Sequence, residues 1–595
     1  MTQSLTGEHA SRTEVAPRLG VRGVMAGSVA ALLAGVLYLN ALHNPFVYDD
    51  QRTILDNGSL WSVWDLRAIV LHEITRPLVN FSYALDRALW GPQPFGFHLT
   101  SVLLHVLNVT LLFRLVWHIM SDRGSREPGS PPAPSPMAVA FVAAALLAVH
   151  PMMTEAVGYI SGRSEVLCAT FFLSALLCAR RWMRGDGTAW WLGAFGLWVA
   201  ALLTKEIAVM FPFVLLGYDR WLLSGSPSER WRRLLRLHLP ILGIAVAAGV
   251  VRVGVFMALE HPGDVSVRWL SALDELDVIR RYAALMLVPS GQAIFHEVVP
   301  IHSLFERRAL MGVGAVGAIV AIAWRARRFD GGVSLGLFWF LLLLVPSSLL
   351  VVLDQGEGMA EHRVYLASCG LFLAAGLAIG RAGAALVRAF PRVRWLAYAA
   401  LAMSVLSLSG RTFLRNAVWA SPVVLWQEAA DRAPGQWLPH AVVGEMLASV
   451  GRHEEAVAAH QTALRLRPEE ETGYMKLGMS LAELGRFDEA KATFESLRRR
   501  NPGSTIVSTG LGVVALMAGH ADRARPYFLE TLARDPRDVL ARQWLAVLEE
   551  DTNANPREAL RWCEEIQQLA PGRLSNEECI RRNRSRLAAI GGHLR

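Results

Sequence analysis

The chain has 595 residues, 53% of them hydrophobic and 18% charged, with a mean hydropathy of +0.32. Soluble domains are nearer a quarter charged, so this balance excludes a wholly soluble protein and an intrinsically disordered one. The formal net charge of +8 comes largely from arginines flanking apolar runs, so it points to membrane topology and not to a nucleic-acid partner.

In chain order, residues 1–20 read as a cytoplasmic tail, with Arg12, Arg18 and Arg22 preceding or opening the first apolar run. From there to about residue 410, stretches of membrane-spanning length recur. Their limits are 21–41, 98–120, 137–150, 165–180, 189–204, 207–223, 239–259, 309–324, 333–353, 364–380 and 395–409. Basic runs at Arg180-Arg181-Arg184, Arg230 to Arg236, Arg325 to Arg328 and Arg388 to Arg394 carry no paired acids and read as cytoplasmic topology signals. The Pro/Ser/Gly-rich stretch 121–136 is expected beside them as a flexible connector. Loop sidedness alternates if the short apolar piece 278–289 does not cross, and about eleven crossings then leave the C-terminal segment outside.

The first external loop, 42–97, carries Asp49-Asp50 directly after a span. Two adjacent carboxylates at the membrane surface can act as a base, because burial and a like-charged neighbour both raise carboxylate pKa values. They could equally form a solvated turn. Arg76-Pro77-Leu78 and His98 follow; His105 and Asn108, three apart on one helix face, suit a polar helix–helix contact at least as well as a substrate site.

The next external segment reads His150-Pro151-Met152-Met153-Thr154-Glu155-Ala156-Val157, then Gly162-Arg163-Ser164-Glu165, where Glu155 and Arg163 suit either a site or a structural ion pair. Lys205-Glu206 ends the fifth span. Only Lys205, Lys476 and Lys491 are lysines among 59 basic residues, so a lysine in the apolar part is notable; its compact ammonium suits a phosphate oxygen, or else a local pair with Glu206. Glu361-His362-Arg363-Val364-Tyr365 opens the tenth span. All these acids and bases fall on one predicted face.

After about residue 420 the pattern becomes a soluble repeat. Pro434, Pro468, Pro502 and Pro536 recur every 34 residues, as do Gly444, Gly478 and Gly512, and Gly451, Gly485 and Gly519. That period is the tetratricopeptide (TPR) signature of paired helices. Residues 420–595 are therefore expected to form about four repeats, with 557–571 a degenerate last unit and an arginine-rich cap beyond it. Cys168, Cys178, Cys369, Cys563 and Cys579 show neither CxxC pairing nor regular spacing, which predicts no disulfide framework and no zinc site.

The order Asp-Asp, Arg-Pro-Leu, His-Pro-x-x-Thr-Glu-Ala-Val, Lys-Glu and Glu-x-Arg-x-Tyr, followed by TPRs, resembles the transmembrane and TPR-containing O-mannosyltransferases and their bacterial relatives. The resemblance implies an all-α chain: a polytopic GT-C membrane domain over 21–410 followed by a TPR solenoid. It also implies inverting transfer of a polyprenyl-phosphate-linked sugar, mannose in the family's name, to a hydroxyl acceptor such as a protein Ser or Thr. The base role would fall on Asp49 or Asp50.

The leaving lipid phosphate gains charge, which makes Arg76, Arg163, Lys205 and Arg363 candidates to bind it, with Glu155, Glu206, Glu361, Tyr365 and His98 in support. No Gly-rich phosphate loop is present and no cofactor is required; two carboxylates are too few to claim a divalent-metal site, which stays open. The expected partners are the lipid-linked donor, the membrane and a protein or peptide on the concave TPR face. The expected setting is a bacterial inner membrane with the TPRs in the periplasm. A membrane-anchored TPR scaffold explains the repeats equally well but leaves the outer charges unexplained. A flippase would place ionisable groups near span centres.

Overall fold

The computed structural model describes residues 19–122, 134–223, 225–255, 270–352, 358–570 and 574–592. Most of the N-terminal tail and of the 121–136 connector, and the ends of spans 239–259 and 333–353, lie outside the described residues. Every regular element among the described residues is helical.

By length and composition, eight of these helices can cross a membrane, or nine if one bent pair counts as a span. The longest is Pro94–Asp122, whose 29 residues reach about 43 Å at 1.5 Å each, beyond the roughly 30 Å of a bilayer core. Two of the eleven expected spans form shorter helices. Thr188–Leu202 has 15 residues, and 207–223 divides into a 3-10 turn, Glu206–Met210, and the helix Phe211–Leu222. The bent pair, Pro136–Val149 and Pro151–Gly158, turns by 57° at His150-Pro151. Proline there cannot continue the hydrogen-bond ladder, and His150 before it is extended at φ −79° and ψ 126°. The helix Ser271–Leu287, which contains most of 278–289, buries Asp274, Glu275 and Asp277 and is not among the spanning helices.

Apolar side chains left uncovered mark the surfaces that lipid would cover. On Arg307–Ala326 these include Leu310, Val313, Val320, Ile322 and Trp324; on Arg394–Val418 they include Trp395, Leu396, Tyr398, Met403 and Leu406. Inside the bundle, Gly336 and Gly370 bring Gly331–Val352 against Tyr365–Ala389, where a Cβ on Gly336 would stand 2.4 Å from the Gly370 carbonyl oxygen. The first and last spans are pinned together beside the first loop. Asn44 Nδ2 donates to the Asn416 carbonyl (3.3 Å), and Asn416 Nδ2 donates to the Leu37 carbonyl (3.1 Å).

The basic runs read as unpaired topology signals are partly paired, which corrects that expectation. Arg180 donates twice to Asp122, each at 2.6 Å, and Arg184 and Tyr218 join it at 3.1 and 2.6 Å. Arg233 and His238 close on Asp219 at 2.8 and 2.9 Å. The acids come from other helices, so no local run reveals them.

The C-terminal part stacks as the 34-residue period predicts. The helix pairs are Trp437–Ser449 with His453–Leu466, Glu471–Glu483 with Phe487–Arg500, Thr505–Met517 with Ala521–Arg534, and Val539–Val547 with Pro556–Leu569. Gly451, Gly485 and Gly519 leave the first helix of each pair at φ between 73° and 82°, which L side chains rarely adopt. Gly478 sits where its partner helix presents Phe494; a Cβ there would meet the ring at 2.4 Å.

A terminal helix, Leu574–Gly592, caps the stack. One correction falls here: Cys563 and Cys579 form a disulfide between the last repeat and this cap. Sixteen residues separate them, and the packing of two antiparallel helices, rather than a spacing motif, brings them together. Cys168, Cys178 and Cys369 are free.

Candidate functional site

The segment 42–97 folds into short turns and two helices, Leu66–His72 and Pro77–Trp90, held by a buried amide network. Asn57 donates to Asn80 (2.8 Å), and Asn80 donates to Ser59 Oγ and to the Ile69 carbonyl, both at 2.9 Å. Between this scaffold and the segment after the bent pair lies a cavity of about 300 Å³. Asp49, Arg52, His72, Glu73, Arg76 and Lys205 bring charge or titratable groups to it, and Tyr159, Ser161, Ser164 and His362 complete its far side.

The two adjacent aspartates point to different places. Asp50 is fully buried, and its carboxylate accepts from Val47 N (3.1 Å), Ser161 N (2.9 Å) and Ser161 Oγ (2.6 Å). Burial pushes its pKa up to about 7, against the lowering effect of the Ser161 hydroxyl and the two amides. Asp50 thus ties the loop to residue 161 and does not face the cavity. Asp49 does, and its carboxylate makes no hydrogen bond or ion pair among the described residues.

Its backbone, in contrast, is held firmly. The Asp49 N–H donates to Tyr159 Oη (3.1 Å), and its carbonyl accepts from Thr53 Oγ1 (2.9 Å). The preceding residue, Tyr48, sits at φ 51°, a conformation costly for a non-glycine residue and kept only where its surroundings enforce it. Those surroundings include the start of the repeat region: Trp426 packs edge-on to Tyr48 (5.0 Å between centroids), and Trp419 stacks on Tyr159 (5.7 Å).

The basic candidates divide. Arg76 lies on the cavity, about one-third exposed, with Glu206 at 3.3 Å. Lys205 also lines it, buried, and pairs with Glu165 at 2.8 Å instead of the neighbouring Glu206. Arg163 does neither, which corrects both readings of it. Fully buried, it pairs with Asp86 at 2.5 Å and donates to the Phe97 carbonyl (2.6 Å) and to Ser101 Oγ (3.2 Å), so its fork is saturated by protein. Arg363 points towards Glu275 and Tyr282, outside the cavity lining, while the residue before it, His362, reaches the cavity.

The supporting candidates are structural in this geometry. Glu155 accepts from His362 Nδ1 (2.5 Å) and from Glu361 N (3.2 Å), so it orients a cavity residue. Glu361 accepts from Ala293 N and His296 Nε2, both at 2.9 Å, which pins the 292–296 segment. Tyr365 lies inside the bundle on His105 Nδ1 (2.7 Å), and Asn108 contacts its hydroxyl (3.3 Å), the polar helix contact expected at His105 and Asn108. His98 bonds the Asn44 carbonyl (3.0 Å).

Sequence reasoning missed Arg52, His72, Glu73, Tyr159 and Ser161. Arg52 stands three residues after Asp49 in the same turn, and Tyr159 and Ser161 precede Gly162-Arg163, so proximity to the motifs was the available signal. Among the described residues, no three His, Cys, Asp or Glu side chains converge as a metal centre would require.

Two tetratricopeptide-repeat family models match residues 447–509 and 509–573. The chain is 27% identical over 550 residues to Protein O-mannosyl-transferase Tmtc1 of Drosophila melanogaster, covering 75% of this chain and 62% of that protein. It is 24% identical over 503 residues to Protein O-mannosyl-transferase TMTC3 of Homo sapiens, covering 75% and 52%. It thus spans between about half and three-fifths of the length of these curated relatives. The homologues of this chain are accordingly proteins named O-mannosyl-transferases, the resemblance that the ordered motifs carried.

Proposed function

We propose that this chain is a membrane glycosyltransferase of GT-C type that moves a sugar, mannose by its relatives' names, from a polyprenyl-phosphate donor to a hydroxyl on a protein. The carrying observation is the unpaired Asp49 carboxylate in a cavity that also holds Arg52, Arg76 and Lys205. Asp49 accepts the proton of the acceptor hydroxyl as that oxygen attacks the anomeric carbon from the face opposite the leaving phosphate. The C–O bond to the lipid phosphate breaks as the new glycosidic bond forms, so the anomeric configuration inverts.

Charge develops on the departing phosphate, and preorganised cations stabilise it more in a site sheltered from water than in bulk. Arg76 is suited to this because its partner Glu206 holds it at 3.3 Å, a weak contact that a dianionic phosphate can replace. Lys205, tethered by Glu165, supplies a fixed point charge. Placement on the non-cytoplasmic side of a bacterial inner membrane, with the repeats in the periplasm, is part of this reading. The Cys563–Cys579 bridge supports it, since structural disulfides persist in oxidising compartments.

The test is to supply the purified full chain with a polyprenyl-phosphate mannose and a Ser/Thr peptide, then determine the anomeric configuration of the product. An inverted glycosyl-peptide with release of polyprenyl phosphate is expected. Retained configuration, or no transfer with any polyprenyl-phosphate sugar, overturns the proposal.

A further inference from the structure

The repeat region touches the 42–97 loop twice. Its start packs Trp426 against Tyr48 beside the cavity. Its other end, the disulfide-tied cap helix Leu574–Gly592, returns to the same loop and encloses a second space of about 990 Å³ against Trp61, Arg87 and Pro92. This space is some threefold larger than the cavity around Asp49 and, unlike it, is lined by an indole, that of Trp61.

In the groove, charges of both signs alternate. Glu577 and Glu578 face it alongside Arg581 and Arg584, and Glu577 lies near enough to attract Arg87. Two carboxylates set against the guanidiniums of Arg87, Arg581 and Arg584 leave the lining mixed in sign. The floor is a flat plate, Trp61 with the Arg87 guanidinium stacked 4.3 Å above its ring, and Trp61 is 45% exposed. A half-open indole beside donors and acceptors of both signs suits a polypeptide, which offers amide planes to stack and both N–H and C=O groups to pair.

Resting on the proposed transferase activity, we infer that this groove is a remote subsite for the protein acceptor, binding an extended segment while the cavity glycosylates another part of the same chain. Because the cavity and the groove share the helix Pro77–Trp90, with Tyr83 on one and Arg87 on the other, the occupant is an extended stretch that crosses the loop from groove to cavity. The affinity of a long acceptor then contains a contribution that a short peptide lacks.

The experiment compares two acceptors with the purified full chain and a polyprenyl-phosphate mannose donor. One is a peptide of about three residues, which reaches at most roughly 10 Å; the other is an unstructured polypeptide of about forty residues. Trp61→Ala, and separately the double charge reversal Glu577→Lys/Glu578→Lys on the cap surface, should raise KM for the long acceptor about tenfold, a hot-spot-sized effect. Neither should move its kcat, or the KM of the short peptide, by more than about twofold.

Equal changes for both acceptors, or a shift confined to the KM of the donor lipid, overturn the inference. Anisotropy of the labelled long acceptor gives a readout independent of catalysis. Weaker binding in both variants without sugar transfer by the wild type would sink the transferase reading and leave the groove standing. Identical Kd values in wild type and variants would sink the groove.

Discussion

Asp122 and Asp49 lie towards opposite ends of the helix Pro94–Asp122, and their surroundings are opposites. Asp122 accepts from Arg180, Arg184 and Tyr218, and the neighbouring Asp219 is closed by Arg233 and His238. At the other end Asp49 has no such partner, Arg76 has a loose one, and a cavity of about 300 Å³ separates them. Asp49 and Arg76 are only half-buried, at a cavity, so leaving them open costs far less than leaving a buried charge such as Asp122 unpaired, and a ligand can complete them. On the proposed activity, the partner missing at Asp49, and not the density of charge, marks the site.

The strongest way to break this contrast is at the two buried cations of the end that holds the cavity. Lys205→Met and Arg163→Met each strand a buried carboxylate, Glu165 and Asp86 respectively, and each should lower stability by roughly 3–5 kcal/mol. Removing the stranded acid, as in Lys205→Met/Glu165→Leu and Arg163→Met/Asp86→Leu, should restore most of that in thermal unfolding. Transfer should then recover in the Arg163 pair and stay depressed in the Lys205 pair. Recovery in both would show that Lys205 is structural too. Arg180→Met/Asp122→Leu extends the test to the closed end, where stability alone should change.

Next in size is the pH dependence of stability. Asp50 has a folded pKa of about 7 against an ordinary value of 3.8, so between those values the folded state holds the proton more tightly than the unfolded one. Stability should fall as pH rises through that window, by at most about 1.4 kcal/mol per pH unit from this one group, and level off above it. In Asp50→Asn the slope should flatten; an unchanged slope would assign it to other groups.

The smallest effect is expected at the contact with the repeats. Tyr159→Phe removes the acceptor of the Asp49 N–H, loosening the turn that aims the carboxylate. It should lower kcat about five- to tenfold with KM within about twofold, since geometry at the reacting atom changes and substrate contacts do not. Trp419→Phe, which keeps an aromatic ring against Tyr159, should stay near wild type.

Local periodicity carried the architecture. The 34-residue spacing of Pro434, Pro468 and Pro502 is a local signal, and the helix pairs follow it. The spans were legible for the same reason, although 15 residues at Thr188–Leu202 stretched a length criterion too far. The site was legible as a set of motifs but not as a set of contacts. Arg163 and Lys205 look alike in sequence, and only distant partners, Asp86 and Glu165, separate a saturated guanidinium from a cavity ammonium. Asp49 and Asp50 are adjacent, yet Ser161, more than a hundred residues later, decides which one is captured. The Cys563–Cys579 bridge was hidden likewise, because helix packing pairs the two thiols.

The proposed chemistry depends most heavily on the division of labour between those two aspartates. Single-turnover transfer from a polyprenyl-phosphate mannose by wild type, Asp49→Asn and Asp50→Asn, each verified as folded, tests it directly. The rate constant should fall by about 10²–10⁴ in Asp49→Asn, the usual contribution of a positioned base, and by no more than about tenfold in Asp50→Asn. Near-wild-type turnover in Asp49→Asn, with the larger loss in Asp50→Asn, would contradict it.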